Sequence, residues 1–345
     1  MNDCVRVGLI GYGYASKVFH APLISGTSGM DLVSVSSSDA AKVHADWPDA
    51  IVVSDPQLIF NDPTIDLVVI PTPNDSHFPL ALAALEAGKH VVVDKPFTVT
   101  LSHAQELDKQ AKARGLLLSV FHNRRWDSDF MTLRALLAQG LLGEVSYFES
   151  HFDRYRPQVQ NRWREQAGAG SGIWYDLGPH LIDQALALFG LPHSISVDLA
   201  QLRPGASTTD YFHAVLAYPQ RRVILHGTLL AAAEPARYTV HGTQGSYIKY
   251  GLDPQEDCLK AGERPPQDSW GQDCRNGVLT LMQNGAIAQQ VWPTVPGDYP
   301  AYYAAIRDAL SGKGENPVPP DQAIKVMELI ELGIESAKCQ IAINI

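Results

Sequence analysis

Two groups of residues in this chain have the types and spacing needed to move a proton to or from a substrate oxygen. Asp94-Lys95-Pro96 directly follows an apolar run, and a lysine there can hydrogen-bond a substrate oxygen or exchange a proton with it. Asp176 lies four residues before His180, so its carboxylate can orient an imidazole that acts as a general base. Lys95, Asp176 and His180 are therefore the candidate catalytic residues.

Each of these residues also has a purely structural interpretation. An isolated lysine after a strand is usually a surface residue. Pro179 is predicted as the first residue of a helix, which places His180 in its first turn, where the positive helix end favours the neutral imidazole. The alternative is that Asp176 and Asp183 only cap this helix while His180 packs in the core.

A glycine-containing turn lies at the start of the chain, directly after the apolar run 5–10. Glycine at its first position permits a tight turn, and glycine at its second lets the backbone approach a pyrophosphate. The third glycine of the usual pattern is replaced by Ser16, and the alternative is an ordinary structural turn. We predict that the turn binds the phosphates of a dinucleotide through Gly11, Tyr12, Gly13, Tyr14 and Ala15.

The end of the second predicted strand indicates which dinucleotide is bound. NAD sites place an acidic residue there, but Asp31 lies at the beginning of that strand and its end reads Ser36-Ser37-Ser38. These three hydroxyls, with Lys42 just beyond, suit the extra phosphate of NADP, so NADP is favoured over NAD. The alternative is a polar turn in which Asp39 caps the next helix.

Large polar and aromatic side chains are concentrated at 122–127, 153–156 and 163–164. Fixed hydrogen-bond donors beside aromatic faces suit a polyhydroxylated ligand such as a sugar. The alternative is a solvated basic face interleaved with core aromatic residues.

The elements that must position these groups fall into two patterns. Up to about residue 121, short β-branched runs alternate with helical stretches, which predicts an N-terminal α/β Rossmann domain with a doubly wound parallel sheet. Beyond it, alternating strands with helices at 128–138, 179–189, 300–310 and 321–338 predict an α+β domain with a large, mostly antiparallel open sheet. The predicted domains are 1–121, which binds the dinucleotide, and 122–345, which binds substrate and oligomerises.

Composition limits the classes of function. The chain has 345 residues, of which 45% are hydrophobic, so it can bury the cores of two domains. Its net charge of −10 argues against nucleic acid, and no apolar run reaches the roughly 18 residues of a membrane span. Its four scattered cysteines have no metal-ligand spacing, so no metal is expected. Without a charged leader sequence, the protein is expected in the cytoplasm.

Taken together, these motifs resemble the glucose–fructose oxidoreductase/inositol dehydrogenase/rhizopine catabolism (Gfo/Idh/MocA) family along nearly the whole chain. The stretches Phe19-His20-Ala21-Pro22 and Tyr175-Asp176-Leu177-Gly178 are similar to its NADP-dependent scyllo-inositol dehydrogenases. Asp94 departs from the family, which usually has Glu before Lys-Pro. The resemblance implies that Lys95, Asp176 and His180 form the catalytic group. It also implies a cofactor cleft lined by Pro71, Thr72, Asn74 and His77, and substrate contacts from Arg124, Tyr155 and Trp163.

The activity implied by this resemblance is hydride transfer between nicotinamide and a ring carbinol or ketone, with scyllo-inositol or its ketone, inosose, and NADP as the best match. Three alternatives stay open: a dehydrogenase of another sugar, a redox glycosidase, and a cofactor-binding regulator without chemistry. An open sheet needs a cover, so a homodimer or homotetramer through the C-terminal sheet is also expected.

Overall fold

The structure, a computed structural model, describes residues 4–283 and 285–345, which form two sheets flanked by helices. The first sheet consists of β1 (Val5–Ile10), β2 (Met30–Ser36), β3 (Ile51–Val53), β4 (Leu67–Ile70), β5 (His90–Asp94) and β6 (Leu118–Phe121). The second consists of β7 (Val145–His151), β8 (Ser194–Ala200), β9 (Tyr211–Ala217), β10 (Arg222–Thr228), β11 (Ala236–Gly242), β12 (Gly245–Tyr250), β13 (Gly277–Gln283), β14 (Ala286–Trp292) and β15 (Ile343–Asn344).

The α-helices lie between these strands and after them. They are α1 (Ala21–Ser25), α2 (Ala40–His44), α3 (Pro56–Phe60), α4 (Asn74–Glu86), α5 (Leu101–Arg114), α6 (Ser128–Ala138), α7 (Gly172–Phe189), α8 (Gln255–Lys260), α9 (Pro300–Leu310) and α10 (Pro320–Cys339). A π-helical turn, Ser16–His20, directly precedes α1. No helix in the described part of the chain combines the length and the apolar character needed to cross a membrane.

The first sheet is parallel, with the strand order β3-β2-β1-β4-β5-β6. Every residue of β4 is buried, as are the valines of β5, because helices cover both faces of a doubly wound sheet. The strand order reverses between β1 and β4, and ligands of such sheets bind at the carboxyl ends of strands around this point. The predicted Rossmann fold is confirmed.

The second sheet has the order β14-β13-β12-β11-β7-β10-β9-β8-β15 and is antiparallel except for the parallel pair β7–β10. Burial alternates along β9 with a period of two, as expected when one face packs on helices and the other faces outward. The predicted open, mostly antiparallel sheet is confirmed. The hairpin β13–β14 was not predicted, although the sequence has the hairpin signal Asn-Gly at 284–285, between the two strands; Asn284 itself lies outside the described residues.

Internal contacts divide the chain into two compact units. The first contains the chain up to Trp126 together with Pro254–Trp270 and Asp298–Ile324; the second contains Asp127–Asp253, Gly271–Gly297 and Lys325–Ile345. Two later segments, Pro254–Trp270 and Asp298–Ile324, thus belong to the unit that contains the N-terminal sheet. The domain limits 1–121 and 122–345 stay a prediction. In the first unit, for example, the Tyr302 hydroxyl of α9 donates to Ser119 Oγ of β6 at 2.9 Å. The amino-acid composition of these later segments does not indicate that they pack with the N-terminal sheet.

Helix α7 begins at Gly172, seven residues before the predicted start at Pro179. The predicted position of His180 in a first turn is therefore wrong, and so is the argument from the helix dipole, whose effect fades within one turn. The capping alternative is also wrong, because Asp176 and Asp183 both lie inside the helix. Proline usually marks a helix start because it lacks an amide hydrogen, but here the helix continues through Pro179.

Close packing around Trp174 joins α7 to α10 within the second unit. The indole N–H of Trp174 donates to the Ile330 carbonyl at 3.0 Å, and the ring is buried. A Cβ at Gly333 of α10 would lie 2.5 Å from Trp174 Cζ2, and one at Gly178 of α7 would lie 3.1 Å from the same indole. Two glycines therefore let the helix that carries Asp176 and His180 approach α10 closely.

We predict that Gly333→Ala destabilises the protein even though alanine is the better helix former. Alanine gains about 1 kcal/mol of helix propensity, whereas overpacking a close-packed core costs about 1–3 kcal/mol, and the fixed indole puts this site at the upper end. Urea unfolding should show the loss. In a Trp174→Phe background the same substitution should cost less, because the smaller ring vacates the contact. Equal costs in both backgrounds would contradict this account of α7–α10 packing.

Candidate active site

The glycine turn closes the end of β1 in the first unit. Gly11 has φ +82°, its N–H donates to the Ser36 carbonyl at 2.8 Å, and a Cβ there would lie 3.2 Å from Thr72 Cγ2. Ser16, which replaces the third glycine, is buried and donates from Oγ to the Gly11 carbonyl at 2.8 Å. A Cβ at Gly13 would meet no atom within 4 Å. The turn therefore leaves the open space above its backbone that a pyrophosphate requires, and it fits a dinucleotide.

The rest of the turn and the end of β2 form a polar tip beside this space. Ser36 is buried, Ser37 is half-buried and Ser38 is exposed. The Lys42 ammonium donates to the Tyr12 carbonyl at 2.9 Å, which holds a positive charge beside the glycine turn. Asp39 accepts from the Lys42 N–H and caps α2, so the structural alternative for Asp39 is confirmed. Although Asp39 caps α2, the three serines and Lys42 still lie at this tip.

The segment after β4 is joined to the Lys95 turn through His77. Its buried ring lies 2.9 Å from both the Thr72 carbonyl and the Pro96 carbonyl. Burial lowers the pKa of His77, and a proton on either ring nitrogen donates to the carbonyl that this nitrogen faces. His77 thus positions the two turns. Pro71 and Asn74 are also buried, whereas Thr72 is partly exposed next to Gly11.

Lys95 follows the last residue of β5 and is partly exposed, with its N–H donating to Asp94 Oδ1 at 2.8 Å. Asp94 Oδ1 also lies 3.8 Å from Nε2 of the buried His20, whose Nδ1 is 2.6 Å from the Tyr303 hydroxyl. Burial by itself would raise the pKa of Asp94, but His20, Lys95 and His77 outweigh it and hold that pKa below its usual value. A buried carboxylate is thereby fixed directly behind Lys95.

Arg124 is buried in the first unit and pairs with Glu256 of α8, with Nη2 and Oε2 2.7 Å apart. Tyr14 is half exposed and donates from its hydroxyl to Glu256 Oε1 at 3.4 Å. The same carboxylate is 2.9 Å from the Lys260 ammonium. Glu256 thus connects the predicted cofactor residue Tyr14 with the predicted substrate residue Arg124, a connection that the sequence did not indicate.

In the second unit, Asp176 and His180 are one turn apart on the same side of α7. The Asp176 carboxylate lies 3.9 Å from Arg154 Nη1 and 3.7 Å from Arg164 Nε. His180 is buried, and its ring stacks with Phe152 at a centroid distance of 6.4 Å. The helix therefore presents a carboxylate flanked by two guanidinium groups, followed one turn later by an imidazole held against an aromatic face.

The predicted substrate residues of this unit lie beside that group. Tyr155 is 60% exposed and Trp163 is 39% exposed, so both rings are accessible to a ligand. The Arg164 guanidinium lies over the Trp163 ring at 4.8 Å, and the Arg154 guanidinium lies over Phe152 at 4.9 Å. Arg154 and Arg164 belong to the polar segments 153–156 and 163–164, but the sequence does not single them out as site residues. The two-residue spacing of Phe152 and Arg154, which puts both on one side of an extended chain, is the signal that was missed.

Two buried arginines hold these elements in place. Arg237 binds Asp129 of α6 at 3.0 Å and Gln184 of α7 at 3.0 Å. Arg203 pairs with Asp210 at 2.9 Å and with Glu165 at 3.0 Å, and it donates to backbone carbonyls at Arg156 and Gln158. The loop that carries Trp163 and Arg164 is thus pinned at both ends although it contains little regular structure.

Comparison with known proteins agrees with this arrangement. Residues 5–122 match the model of the Gfo/Idh/MocA oxidoreductase family for its NAD-binding Rossmann fold, and residues 134–343 match the model for its C-terminal alpha/beta domain. The chain is 74% identical to the Escherichia coli oxidoreductase YdgJ over 98% of each chain. It is 41% identical to the NADP⁺-dependent scyllo-inositol 2-dehydrogenase IolW of Bacillus subtilis, over 97% of this chain and 94% of that protein. A Yersinia pestis oxidoreductase structure superposes with TM-score 0.97 at 67% identity, covering 100% of this chain and 98% of that chain.

The glycine turn gives a prediction that separates folding from cofactor binding. We expect Gly13→Ala to leave thermal unfolding unchanged, because its methyl group meets no protein atom, and to weaken NADPH binding at least about tenfold by occupying the phosphate space. Gly11→Ala should instead destabilise the fold by about 1–2 kcal/mol, because residue 11 has a left-handed backbone. Fluorescence titration with NADPH and thermal melts measure both effects. Unchanged NADPH affinity in Gly13→Ala would contradict the assignment of this turn.

Proposed function

This chain belongs to the Gfo/Idh/MocA oxidoreductase family, and from that premise we propose that it is an NADP-dependent dehydrogenase of a polyol, with scyllo-inositol and its ketone as substrate and product. The observation that carries the proposal is the 41% identity to IolW along almost the entire chain. The candidate catalytic residues Lys95, Asp176 and His180 are all present, which favours an enzyme over a regulator of the same fold.

The proposed reaction needs a hydride acceptor, a proton acceptor and a group that stabilises the developing carbonyl. When bound, nicotinamide supplies the site that accepts the hydride during oxidation and returns it during reduction. His180 takes the proton of the ring hydroxyl as general base, and Asp176 orients it or relays the proton onward. The Lys95 ammonium donates a hydrogen bond to the same oxygen as it becomes a carbonyl. In the reductive direction, His180 returns the proton to the oxygen.

The preference for NADP rests on charge at the end of β2. The exposed Ser38 and the Lys42 ammonium offer hydrogen-bond donors and a positive charge, which match a 2′-phosphate. The acidic residue that would accept bonds from a ribose 2′-hydroxyl is replaced by serine at this point. Asp39, the nearest carboxylate along the chain, accepts a bond from the backbone of α2.

The substrate proposal depends on donors that match a ring with many hydroxyl groups. Arg154 and Arg164 lie beside Asp176, and the exposed rings of Tyr155 and Trp163 offer apolar faces for the ring carbons. A related sugar would fit the same chemistry, so turnover of scyllo-inositol should be compared with turnover of glucose and of other cyclic polyols. Net accumulation of NADPH separates a dehydrogenase from a redox glycosidase, which regenerates its cofactor in each cycle.

We also propose a homodimer or homotetramer in the cytoplasm. The four cysteines are all free thiols, which suits a reducing compartment. Large apolar side chains at the β13–β14 edge, Met282, Ile287 and Val291, are each more than 60% exposed, which suits contact with a second copy. Light scattering coupled to gel filtration measures the oligomeric state directly, and a monomer would contradict this proposal.

We predict that the purified protein reduces NADP⁺ with scyllo-inositol and that Lys95→Ala lowers the turnover number about 100-fold or more, because the developing carbonyl loses its donor. Binding of NADPH should persist, since the glycine turn is intact. Lys112→Ala, which removes an exposed lysine ion-paired to Asp108, is the matched control and should keep full activity. Near-full activity of Lys95→Ala would refute the catalytic assignment.

A second prediction tests cofactor choice at the end of β2. Ser38→Asp should lower kcat/KM for NADP⁺ about tenfold or more, because a carboxylate there repels the 2′-phosphate, while kcat/KM for NAD⁺ stays equal or rises. Asparagine has nearly the same size as aspartate but no charge, so Ser38→Asn should keep the wild-type ratio of kcat/KM for NADP⁺ to kcat/KM for NAD⁺. The measurement is the ratio of the two specificity constants, and an unchanged ratio in Ser38→Asp would place the 2′-phosphate elsewhere.

A further inference from the structure

A row of histidines crosses three neighbouring strands on the outward face of the second sheet. His226 of β10 is the register partner of His151 on the parallel strand β7 and of His213 on the antiparallel strand β9. Directly paired residues in a sheet have side chains close enough to interact, and the His151 and His226 ring centroids are 4.9 Å apart. None of these residues takes part in the chemistry proposed above.

A carboxylate completes this group. Asp153 lies two residues beyond His151 and therefore on the same side of the extended chain. Its Oδ2 is 2.8 Å from His151 Nδ1, and its Oδ1 is 3.8 Å from His226 Nε2. One ligand atom from each of His151, Asp153 and His226 lies within 4.8 Å of the other two. Two nitrogens and one oxygen thus lie close together on one side of the sheet.

We propose that His151, Asp153 and His226 form a binding site for a divalent transition-metal ion, with Zn²⁺ as the best match. Zinc bonds to histidine nitrogen and carboxylate oxygen measure about 2.0–2.2 Å, so ligand atoms around one ion are roughly 3–4 Å apart. The 3.8 Å between Asp153 Oδ1 and His226 Nε2 already lies in that range. The metal ion takes the place of the proton that His151 and Asp153 share, and a water molecule completes the tetrahedron.

The groups around the three ligands are those that a metal site needs. A histidine ligand usually donates its other ring N–H to a carboxylate or carbonyl, which fixes the ring. His151 Nε2 is 2.9 Å from Glu149 Oε1, and Glu149 in turn accepts from the Tyr147 hydroxyl at 2.6 Å. His226 Nδ1 is 3.4 Å from His213 Nδ1, so when it donates there its Nε2 lone pair faces Asp153. The Thr228 N–H fixes the Asp153 carboxylate by donating to Oδ1 at 3.0 Å.

The donor set also selects among cations. Imidazole nitrogen suits zinc, cobalt, nickel and copper, whereas magnesium and calcium prefer sites built from oxygen. The three donors leave coordination positions for water. We therefore expect binding of Zn²⁺ and Co²⁺ and none of Mg²⁺.

The test is metal binding by the full-length protein, which needs no assay of the proposed dehydrogenase. Protein dialysed against EDTA and then against buffer is titrated with zinc sulfate in competition with a chromogenic chelator, and metal content is measured after gel filtration. We expect one Zn²⁺ per chain. His226→Gln and Asp153→Asn should each lower the affinity about 100-fold or more by removing a ligand. Glu149→Gln should lower it about tenfold or more by loosening His151.

His241→Gln is the matched control, because His241 lies on the same face in β11 and bonds to Ser246 instead of to the cluster. It should bind Zn²⁺ like the wild type. Zinc should also raise the melting temperature of the wild type and of the control but not of His226→Gln. If a variant does not fold, the visible absorption of Co²⁺ bound to the wild type still reports nitrogen ligation. Absence of stoichiometric zinc, or equal retention by wild type, His226→Gln and Asp153→Asn, would overturn the proposal.

Discussion

Burial of the parallel strands β1, β4 and β5 on both faces is the constraint on which the rest of the first unit depends. Strands covered by helices on both sides are mostly apolar runs, so the polar side chains that can reach a ligand follow the strand ends. In a parallel sheet all carboxyl ends lie at one edge, and the order β1-β4-β5 therefore makes Gly11, Thr72 and Lys95 follow neighbouring strands. The glycine turn and the candidate catalytic lysine therefore lie at one edge of the sheet because the strands that carry them are parallel neighbours.

At that edge, hydrogen bonds from buried polar side chains hold the turns in position. His77 contacts carbonyls of both the Thr72 turn and the Pro96 turn, and the Asp94 carboxylate lies between His20 and the Lys95 backbone. Removing one partner of such a buried group leaves the other unsatisfied, at a cost of about 1–3 kcal/mol. These largely buried residues thus fix the backbone on which Lys95 reaches the surface.

In the second unit, buried arginines hold the elements that carry the candidate site residues. Its candidate site is carried partly by α7 and partly by a loop, and a loop alone would not hold Trp163 and Arg164 in one position. Arg203 binds Glu165, Asp210 and two carbonyls, and Arg237 joins α6 to α7. Burying such charges is costly and gives little net stability, but breaking one pair costs about 3–5 kcal/mol. Their contribution is therefore a defined geometry around Asp176.

Local patterns in the sequence determined the Rossmann fold, the mixed open sheet, the glycine turn and the family, because strand periodicity, the Gly11–Gly13 spacing and the Lys95 and Asp176 motifs are all short-range features. Long-range packing decided what these patterns could not express. Helix α7 runs through Pro179, and in the turns before this proline Trp174 and Gly178 pack closely against α10. Arg154 and Arg164 flank Asp176, and buried Arg203 holds the loop between them. The row of His151, Asp153 and His226 likewise arises only from strand register, which pairs residues far apart in the chain. A sequence records which neighbours a residue has along the chain, whereas pairing energy between distant segments decides which it has in space.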